Sequence, residues 1–225
     1  MNALRKFSPP ALQAKKERTV SLGNEPQILT DIYQESPNMV IWQRTLSSTL
    51  NSTVNDLLLS DKSLEIVSAV TPKTALFELH HELKGLACAK ELSENIAELV
   101  DMFCCLFELK RAGLRLTTLH HAMCPRFHVD KVPCRLVTTY AGTGTQWLPH
   151  QVIDRSKLGT GNQGLDDEFS GLYQHASSIE QTACGDVALL KGESWHDNEN
   201  AGLVHRSPAL DANEKRLLLT LDFLA

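Results

Sequence analysis

Two side chains near the middle of the chain have the types and the spacing of metal ligands. His128 and Asp130 stand two residues apart in Arg-Phe-His-Val-Asp, and residues two apart in a strand point to the same side. An imidazole nitrogen and a carboxylate oxygen can therefore reach one ion. His205, on a predicted late strand, is the candidate for the third ligand. Two histidines and one carboxylate suit Fe(II) and leave adjacent coordination positions free.

A second set of side chains in the same region has the types of zinc ligands. His120, Cys124, His128 and Cys134 offer imidazole and thiolate donors, which suit a closed structural Zn²⁺ site. Their spacing matches no common zinc-finger pattern, and the set has no Cys-x-x-Cys pair. This set is the alternative, in which the protein is a non-catalytic zinc-binding module.

The elements that must position these residues change in character near Gly113. Before Gly113, apolar residues recur at spacings of three and four, which predicts helices. The predicted helices are residues 42–59, 74–86 and 89–111. After Gly113, short β-branched and aliphatic runs lie between clusters of Gly, Pro, Asn and Asp, which predicts strands. The predicted strands are residues 114–119, 134–140, 187–190 and 217–223.

These elements indicate an α+β protein in which a helical amino-terminal half supports a β-rich carboxy-terminal half. We predict a flexible polar arm over residues 1–30, a helical support region over 31–112 and a metal-binding core over 113–225. Because the chain has 225 residues, residues 31–225 are expected to form one compact domain.

Composition limits the partners of the protein. The 22 basic and 27 acidic residues give a net charge of −5, which argues against binding to a nucleic-acid backbone. No apolar run approaches the roughly 20 residues that span a bilayer, and the first residues lack the apolar stretch of a secretory signal. We therefore expect a cytoplasmic protein that binds neither nucleic acid nor membrane.

The order of motifs in residues 114–225 resembles that of the Fe(II)/2-oxoglutarate-dependent oxygenase superfamily. The motifs are His128-x-Asp130, a strand that ends near a Tyr, a strand led by Gly185-Asp186, His205-x-x-Pro208 and a last strand led by Arg216. The resemblance implies a double-stranded β-helix, the jelly roll related to the cupins, as the core on which the helical half packs. The whole chain also resembles an uncharacterised bacterial domain family.

The resemblance implies roles for individual residues. His128, Asp130 and His205 match the Fe(II) ligands of the superfamily. Arg216 matches the basic residue that pairs with the distal carboxylate of 2-oxoglutarate, and Tyr140 matches a position that hydrogen-bonds this cosubstrate in some members. Further candidates for the pocket lining are Trp147, Arg135 and Arg206.

The implied activity is a hydroxylase-type oxidation of a small-molecule or protein substrate. The same triad would also serve a cupin-like metal-binding protein that does not use 2-oxoglutarate. Arg216 separates these two hypotheses, because only the oxygenase needs a cation that grips the cosubstrate.

Overall fold

The computed structural model describes residues 17–60 and 62–224. Three α-helices pack on one face of a seven-stranded sheet, and a three-stranded sheet lies on its other face. The helices are α1 (Ser48–Leu59), α2 (Ala75–Glu82) and α3 (Ala89–Leu106). The strands are β1 (Thr19–Gly23), β2 (Pro37–Trp42), β3 (Glu65–Val70), β4 (Ala112–Leu119), β5 (Cys134–Ala141), β6 (Gln146–Leu148), β7 (Glu180–Gln181), β8 (Val187–Lys191), β9 (Val204–Arg206) and β10 (Arg216–Phe223).

The strand order brings both halves of the chain into one sheet. The larger sheet has the order β1-β2-β8-β5-β10-β4-β3, and the smaller sheet has the order β7-β6-β9. Only β1 and β2 pair in parallel, whereas the other described strand pairs are antiparallel. The result is an α+β fold with a jelly-roll-like core, in which the two sheets face each other.

The helices form where local sequence and burial agree. The hydroxyl of Ser47 accepts a hydrogen bond from the backbone N–H of Leu50 at 3.0 Å, which caps α1. One stripe of α3 is buried against the larger sheet, as the sequence periodicity predicts. This helix ends at Leu106 rather than at residue 111, because Glu108 adopts a positive φ of 52° and the N–H of Leu109 donates to the carbonyl of Cys104.

The prediction of a helical amino-terminal half is only partly right. Residues 42–47 are not helical, because Pro37–Trp42 forms strand β2 and α1 begins at Ser48. Strand β2 lies inside the sheet and is buried almost throughout, so its apolar run lacks the alternation by which half-exposed strands are recognised.

The prediction of a polar arm over residues 1–30 also needs correction where the structure describes it. Residues 1–16 lie outside the described part. Thr19–Gly23 forms β1, which pairs with β2, and Pro26–Tyr33 forms a 3₁₀ helix that buries Leu29 and Ile32. Among the described strands, β1 is at the edge of the sheet and pairs only with β2. An edge strand can therefore carry polar residues.

Side chains of β5 and β10 alternate between the two faces of the larger sheet. Leu217 and Leu219 belong to the apolar cluster shared with the helices, whereas Leu218 belongs to the cluster between the two sheets. The alternation places Arg216 and Asp222 on the same face as Leu218. Within the described part of the chain, no helix is long and apolar enough to cross a membrane.

Candidate metal centre between the two sheets

His128 and His205 are held side by side by backbone pairing. His128 lies in the segment between β4 and β5, and His205 lies in β9 of the smaller sheet. The N–H of each residue donates to the carbonyl of the other at 3.0 Å. Residues paired in this way point their side chains to the same face, and the two imidazole centroids are 4.6 Å apart.

Asp130 completes a group of three possible donors. Its Oδ1 lies 3.6 Å from Nε2 of His128, and its Oδ2 lies 3.5 Å from Nε2 of His205. Among the described residues, this is the one group of three or more His, Cys, Asp or Glu side chains whose ligand atoms all lie within 4.8 Å of one another. Donors about 2.0–2.2 Å from one ion of the size of Zn²⁺, at right angles, are about 3 Å apart, so a small contraction would close the site.

Hydrogen bonds at the far side of each imidazole orient the donors. Nδ1 of His128 lies 2.9 Å from the carbonyl oxygen of Arg126, and Nδ1 of His205 lies 3.3 Å from that of Leu203. A carbonyl oxygen only accepts, so Nδ1 of each ring carries a proton, and the neutral form of each ring has its lone pair on Nε2. Such outer contacts are typical of metal-binding histidines.

The electrostatics of the three side chains favour a cation. Burial lowers the pKa of His205 to about 4, which keeps this imidazole neutral at pH 7. Burial alone would raise the pKa of Asp130, but His128, His205 and Arg135 outweigh it and lower this pKa to about 2. The hydrogen bond with Asp130 raises the pKa of His128. The site thus holds an ionised carboxylate beside at least one neutral imidazole.

Arg135 joins Asp130 to the last strand. Its Nη1 donates to Oδ2 of Asp130 at 2.8 Å. Its Nε and Nη2 donate to Oδ1 and Oδ2 of Asp222 at 2.8 and 3.1 Å. Arg135 and Asp222 are register partners in β5 and β10, so strand pairing itself aligns this contact.

Arg216 is a buried cation whose side-chain hydrogen bonds, within the described residues, go to hydroxyl groups. Only 1% of the residue is exposed. Its Nη2 donates to Oγ1 of Thr139 at 2.8 Å and to Oγ1 of Thr145 at 2.7 Å, and its Nη1 donates to Oγ of Ser207 at 3.3 Å. Within residues 17–60 and 62–224, no carboxylate forms an ion pair with Arg216. Burial lowers its pKa to about 10, so the guanidinium stays charged at neutral pH.

His128, His205 and Arg216 line the same cavity between the sheets. Its lining comprises Met123, Cys124, His128, Arg135, Val137, Thr145, His205, Arg206, Ser207, Arg216, Leu218 and Thr220. A molecule in this cavity would meet the imidazoles at one place and a buried guanidinium at another. The arrangement can bind a cation and an anionic group together.

Tyr140 does not reach this cavity, which corrects the predicted cosubstrate contact. The residue is fully buried in the cluster between the larger sheet and the helices, and its hydroxyl donates to Oδ1 of Asn95 on α3 at 2.7 Å. Burial raises its pKa. The alternation of β5 decides this outcome, because Thr139 faces Arg216 and the next residue must face the helices.

The remaining pocket candidates have different positions. Arg135 lines the cavity as described above. Arg206 also contributes to the lining, but its guanidinium stacks 4.3 Å from the ring centroid of Phe127 and pairs with Asp167. Trp147 is the register partner of His205, and its ring packs against the apolar cluster between the sheets.

The alternative zinc ligands are not brought together. His120 and Cys124 are exposed, whereas Cys134 is fully buried in the apolar cluster on the helix face. Burial also raises the pKa of the Cys134 thiol, which opposes the thiolate that zinc needs. Cys134 opens β5 with its side chain on the helix face, away from His128, so the zinc-module hypothesis loses its site.

Four partners in the site were not recognised from the sequence. Thr139, Thr145 and Ser207 hold Arg216, and Asp222 holds Arg135. Asp222 carried a usable signal, because it lies six residues after Arg216 in one predicted strand and even spacing means the same face. The hydroxyl residues carried none, since Thr and Ser occur throughout the chain and reach Arg216 from separate segments.

The fold is similar to that of two solved dioxygenases. The chain is similar in structure to dioxygenase for auxin oxidation 1 from Arabidopsis thaliana, in complex with 2-oxoglutarate, with a TM-score of 0.50, 11% identity and 92% of each chain covered. It is also similar to the dioxygenase for auxin oxidation from rice, with a TM-score of 0.51, 11% identity, and 93% of this chain and 83% of that chain covered. The predicted resemblance is therefore confirmed for the fold.

The chain itself belongs to the family described as protein of unknown function (DUF1826), whose model matches residues 23–222. The predicted resemblance to a family of uncharacterised function is thereby confirmed. A search of curated proteins returns no match.

Proposed function

We propose that the protein is an Fe(II)/2-oxoglutarate-dependent oxygenase that carries out a hydroxylase-type oxidation. One observation carries the proposal: His128 and His205, which form a possible metal site together with Asp130, line the same cavity as Arg216, a buried cation held by hydroxyl groups. The two dioxygenases of similar fold support this choice, and the Arabidopsis protein is a complex with 2-oxoglutarate.

The three side chains would hold the metal through one face. His128 and His205 would offer Nε2, and Asp130 would offer a carboxylate oxygen. Fe(II) in such a site supplies the activation of dioxygen, which the side chains of the protein cannot perform alone. The protein contributes the geometry, a proton on each Nδ1 that fixes the tautomer, and apolar walls that limit the access of water.

Arg216 would anchor the distal carboxylate of the cosubstrate. A guanidinium can grip a carboxylate with two parallel hydrogen bonds, and burial strengthens such a contact because water does not compete. Thr139, Thr145 and Ser207 hold the guanidinium from its edges, and so pre-organise it. A buried cation without an acidic partner costs free energy in the free protein, and an incoming carboxylate would offset this cost.

Anaerobic titration tests the proposal. Purified protein with Fe(II) and 2-oxoglutarate is expected to develop a weak visible charge-transfer band, and neither component alone should produce it. An absent band, with metal bound elsewhere than at the triad, would refute the proposal.

The cupin-like alternative without 2-oxoglutarate is separated from the oxygenase by Arg216→Ala. Hydrogen bonds to charged groups contribute about 1.5–3 kcal/mol each, so we expect affinity for 2-oxoglutarate to fall about 100-fold or more. Affinity for Fe(II) alone should stay within a few fold of wild type. Unchanged affinity for 2-oxoglutarate in this variant would contradict the assigned role of Arg216.

A further inference from the structure

Arg135 is placed between two carboxylates with different surroundings. Its guanidinium grips Asp222 with two hydrogen bonds of 2.8 and 3.1 Å, and its remaining nitrogen donates to Asp130 at 2.8 Å. The side chains of the three residues are between 14% and 27% exposed. Three short charged contacts at this degree of burial define one orientation of the guanidinium.

Pairing of β5 with β10 holds Arg135 next to Asp222. Arg135 and Asp222 face each other in register across β5 and β10, where directly opposite side chains are in contact. Asp130, in contrast, lies in the loop segment before β5 and has no strand partner of its own. The loop carboxylate is therefore tied to the rigid sheet through Arg135.

We propose that Arg135 is a positioning residue for the metal centre, which orients the carboxylate of Asp130 toward the ion, and that Asp222 is the anchor of Arg135. This inference rests on the proposed function only in requiring a metal at the triad, and it does not require 2-oxoglutarate.

The physical reason lies in the freedom of a carboxylate. A carboxylate without an outer hydrogen bond can rotate, bind an ion through one oxygen or two, or turn to solvent. Nη1 of Arg135 donates a hydrogen bond to Oδ2 of Asp130, and this contact restricts the rotation of the carboxylate. Outer-shell partners of this kind typically change metal affinity or activity by about 10–100-fold.

The charge balance explains why two acids surround one arginine. A guanidinium beside a divalent cation would repel it, and this repulsion is large where water is partly excluded. Asp222 compensates the charge of Arg135 through two hydrogen bonds. Asp130 is then left with most of its negative charge for the metal.

The arrangement also connects the two parts of the site. Strand β10 begins with Arg216 and carries Asp222 six residues later on the same face. Asp222, which anchors Arg135, and Arg216, which would anchor the cosubstrate, thus lie on one strand. A shift of β10 would move both together.

Titration of the metal-free, full-length protein with Co(II) tests the proposal without cosubstrate. The variants are Arg135→Gln, Arg135→Lys and Asp222→Asn. Arg44→Gln is the matched control, because Arg44 is also half-buried and donates two side-chain hydrogen bonds, to the carbonyl of Gly185 and to Asn95. The readouts are the Kd for Co(II), the visible Co(II) absorption at saturation, and the Tm of the metal-free protein.

We expect Arg135→Gln to raise the Kd for Co(II) about 10–100-fold and to change the shape of the absorption band. Arg135→Lys should recover part of the affinity, since it keeps the charge but lacks the fork. Asp222→Asn should weaken Co(II) binding about 10-fold or less, because Arg135 loses its anchor but remains present. Arg44→Gln should stay within about 2-fold of wild type with an unchanged spectrum.

Wild-type Kd and spectrum in folded Arg135→Gln would overturn the inference. If that variant does not fold, the same result for Arg135→Lys together with Asp222→Asn would overturn it. Failure of the proposed function looks different: wild-type protein would bind no Co(II), or Asp130→Ala would bind it as tightly as wild type. If Co(II) binds as expected but 2-oxoglutarate does not, the role of Arg135 stands and the cosubstrate assignment falls.

Discussion

The two faces of the larger sheet come from the same strands but have opposite chemistry. Toward the helices, β10 presents Leu217 and Leu219, which are fully buried in the largest apolar cluster. Toward the smaller sheet, the same strand presents Arg216 and Asp222, which contact other polar side chains. Successive residues of β10 therefore alternate between the apolar core and the polar site.

This difference teaches where stability and function reside. Burial of apolar side chains stabilises a fold by roughly 25 cal/mol per Å², so the helix face supplies most of the favourable energy. A buried guanidinium loses the favourable free energy of hydration, and hydrogen bonds to neutral hydroxyl groups compensate only part of this loss. We therefore expect substitutions on the face toward the helices (the helix face) to lower stability but leave ligand binding unchanged. Substitutions on the face toward the smaller sheet (the inner face) should weaken ligand binding but change stability little.

The largest effect is expected from His205→Ala on metal binding. The substitution removes one of three donors, so the loss in affinity should exceed the roughly 100-fold that loss of an outer hydrogen bond costs. Elemental analysis after loading with Fe(II), together with a Co(II) titration, measures it. His175→Ala, which changes an exposed histidine, is the control. Full metal content in His205→Ala would remove His205 from the site.

The next largest effect is expected from Phe103→Ala on the helix face. Phe103 is 1% exposed, and its ring lies 5.0 Å from that of Phe107 and 5.6 Å from that of Phe223. Truncation of a buried phenylalanine costs about 3–5 kcal/mol, which urea denaturation of the metal-free protein can measure. The Kd for Co(II) of the folded protein should not change.

Phe77→Ala is the control for this measurement, since Phe77 is 78% exposed and should change stability by less than about 0.5 kcal/mol. A folded Phe103→Ala variant with greatly weakened metal binding would break the separation between the two faces.

The sequence predicted the inner face better than it predicted the layers around it. His128 and Asp130 follow a period of two, and the structure brings them together with His205. The helical spacing of residues 89–106 was equally informative, because one face of α3 is buried. The spacing of His128 and Asp130 and the periodicity of α3 are local signals, whereas His205 comes from a separate, later strand.

The errors arose where the outcome depends on distant neighbours. Strand β2 is a central strand only because β1 and β8 flank it, and nothing within residues 37–42 encodes these partners. Tyr140 is a cosubstrate candidate through the resemblance, whereas Cys134 is a zinc candidate through its donor type and its nearness in sequence to the histidines. Their side chains face the helices, and the phase of β5 that decides this is set by pairing with β8 and β10.

A smaller effect is expected from Tyr140→Phe. This variant tests whether the side chain of Tyr140 faces the helices or the cavity. The substitution removes one hydrogen bond, to Oδ1 of Asn95, while Arg44 still donates to that atom. We expect the free energy of unfolding to fall by about 0.5–1.5 kcal/mol, measured by urea denaturation. Affinity for 2-oxoglutarate, measured with Fe(II) present, should remain that of wild type. A clear loss of this affinity would return Tyr140 to the cosubstrate site.

The smallest effect on stability is expected from Arg216→Met, although Arg216 is one of the largest fully buried side chains. The substitution removes a desolvated charge but leaves Thr139 and Thr145 without a donor. Because these two consequences oppose each other, the free energy of unfolding of the metal-free protein should change by less than about 1 kcal/mol.

Arg18→Met is the matched control for Arg216→Met. Arg18 is 4% exposed and donates to Asn198 and to the backbone carbonyl of Glu35, so it ties separate segments together. Loss of these charged hydrogen bonds should cost about 1.5–3 kcal/mol. If Arg216→Met loses as much stability as Arg18→Met, then Arg216 is a structural cation, and the inner face stabilises the fold as the helix face does. If Arg216→Met stays close to wild type, a buried charge that adds no stability is best explained by the carboxylate it would bind.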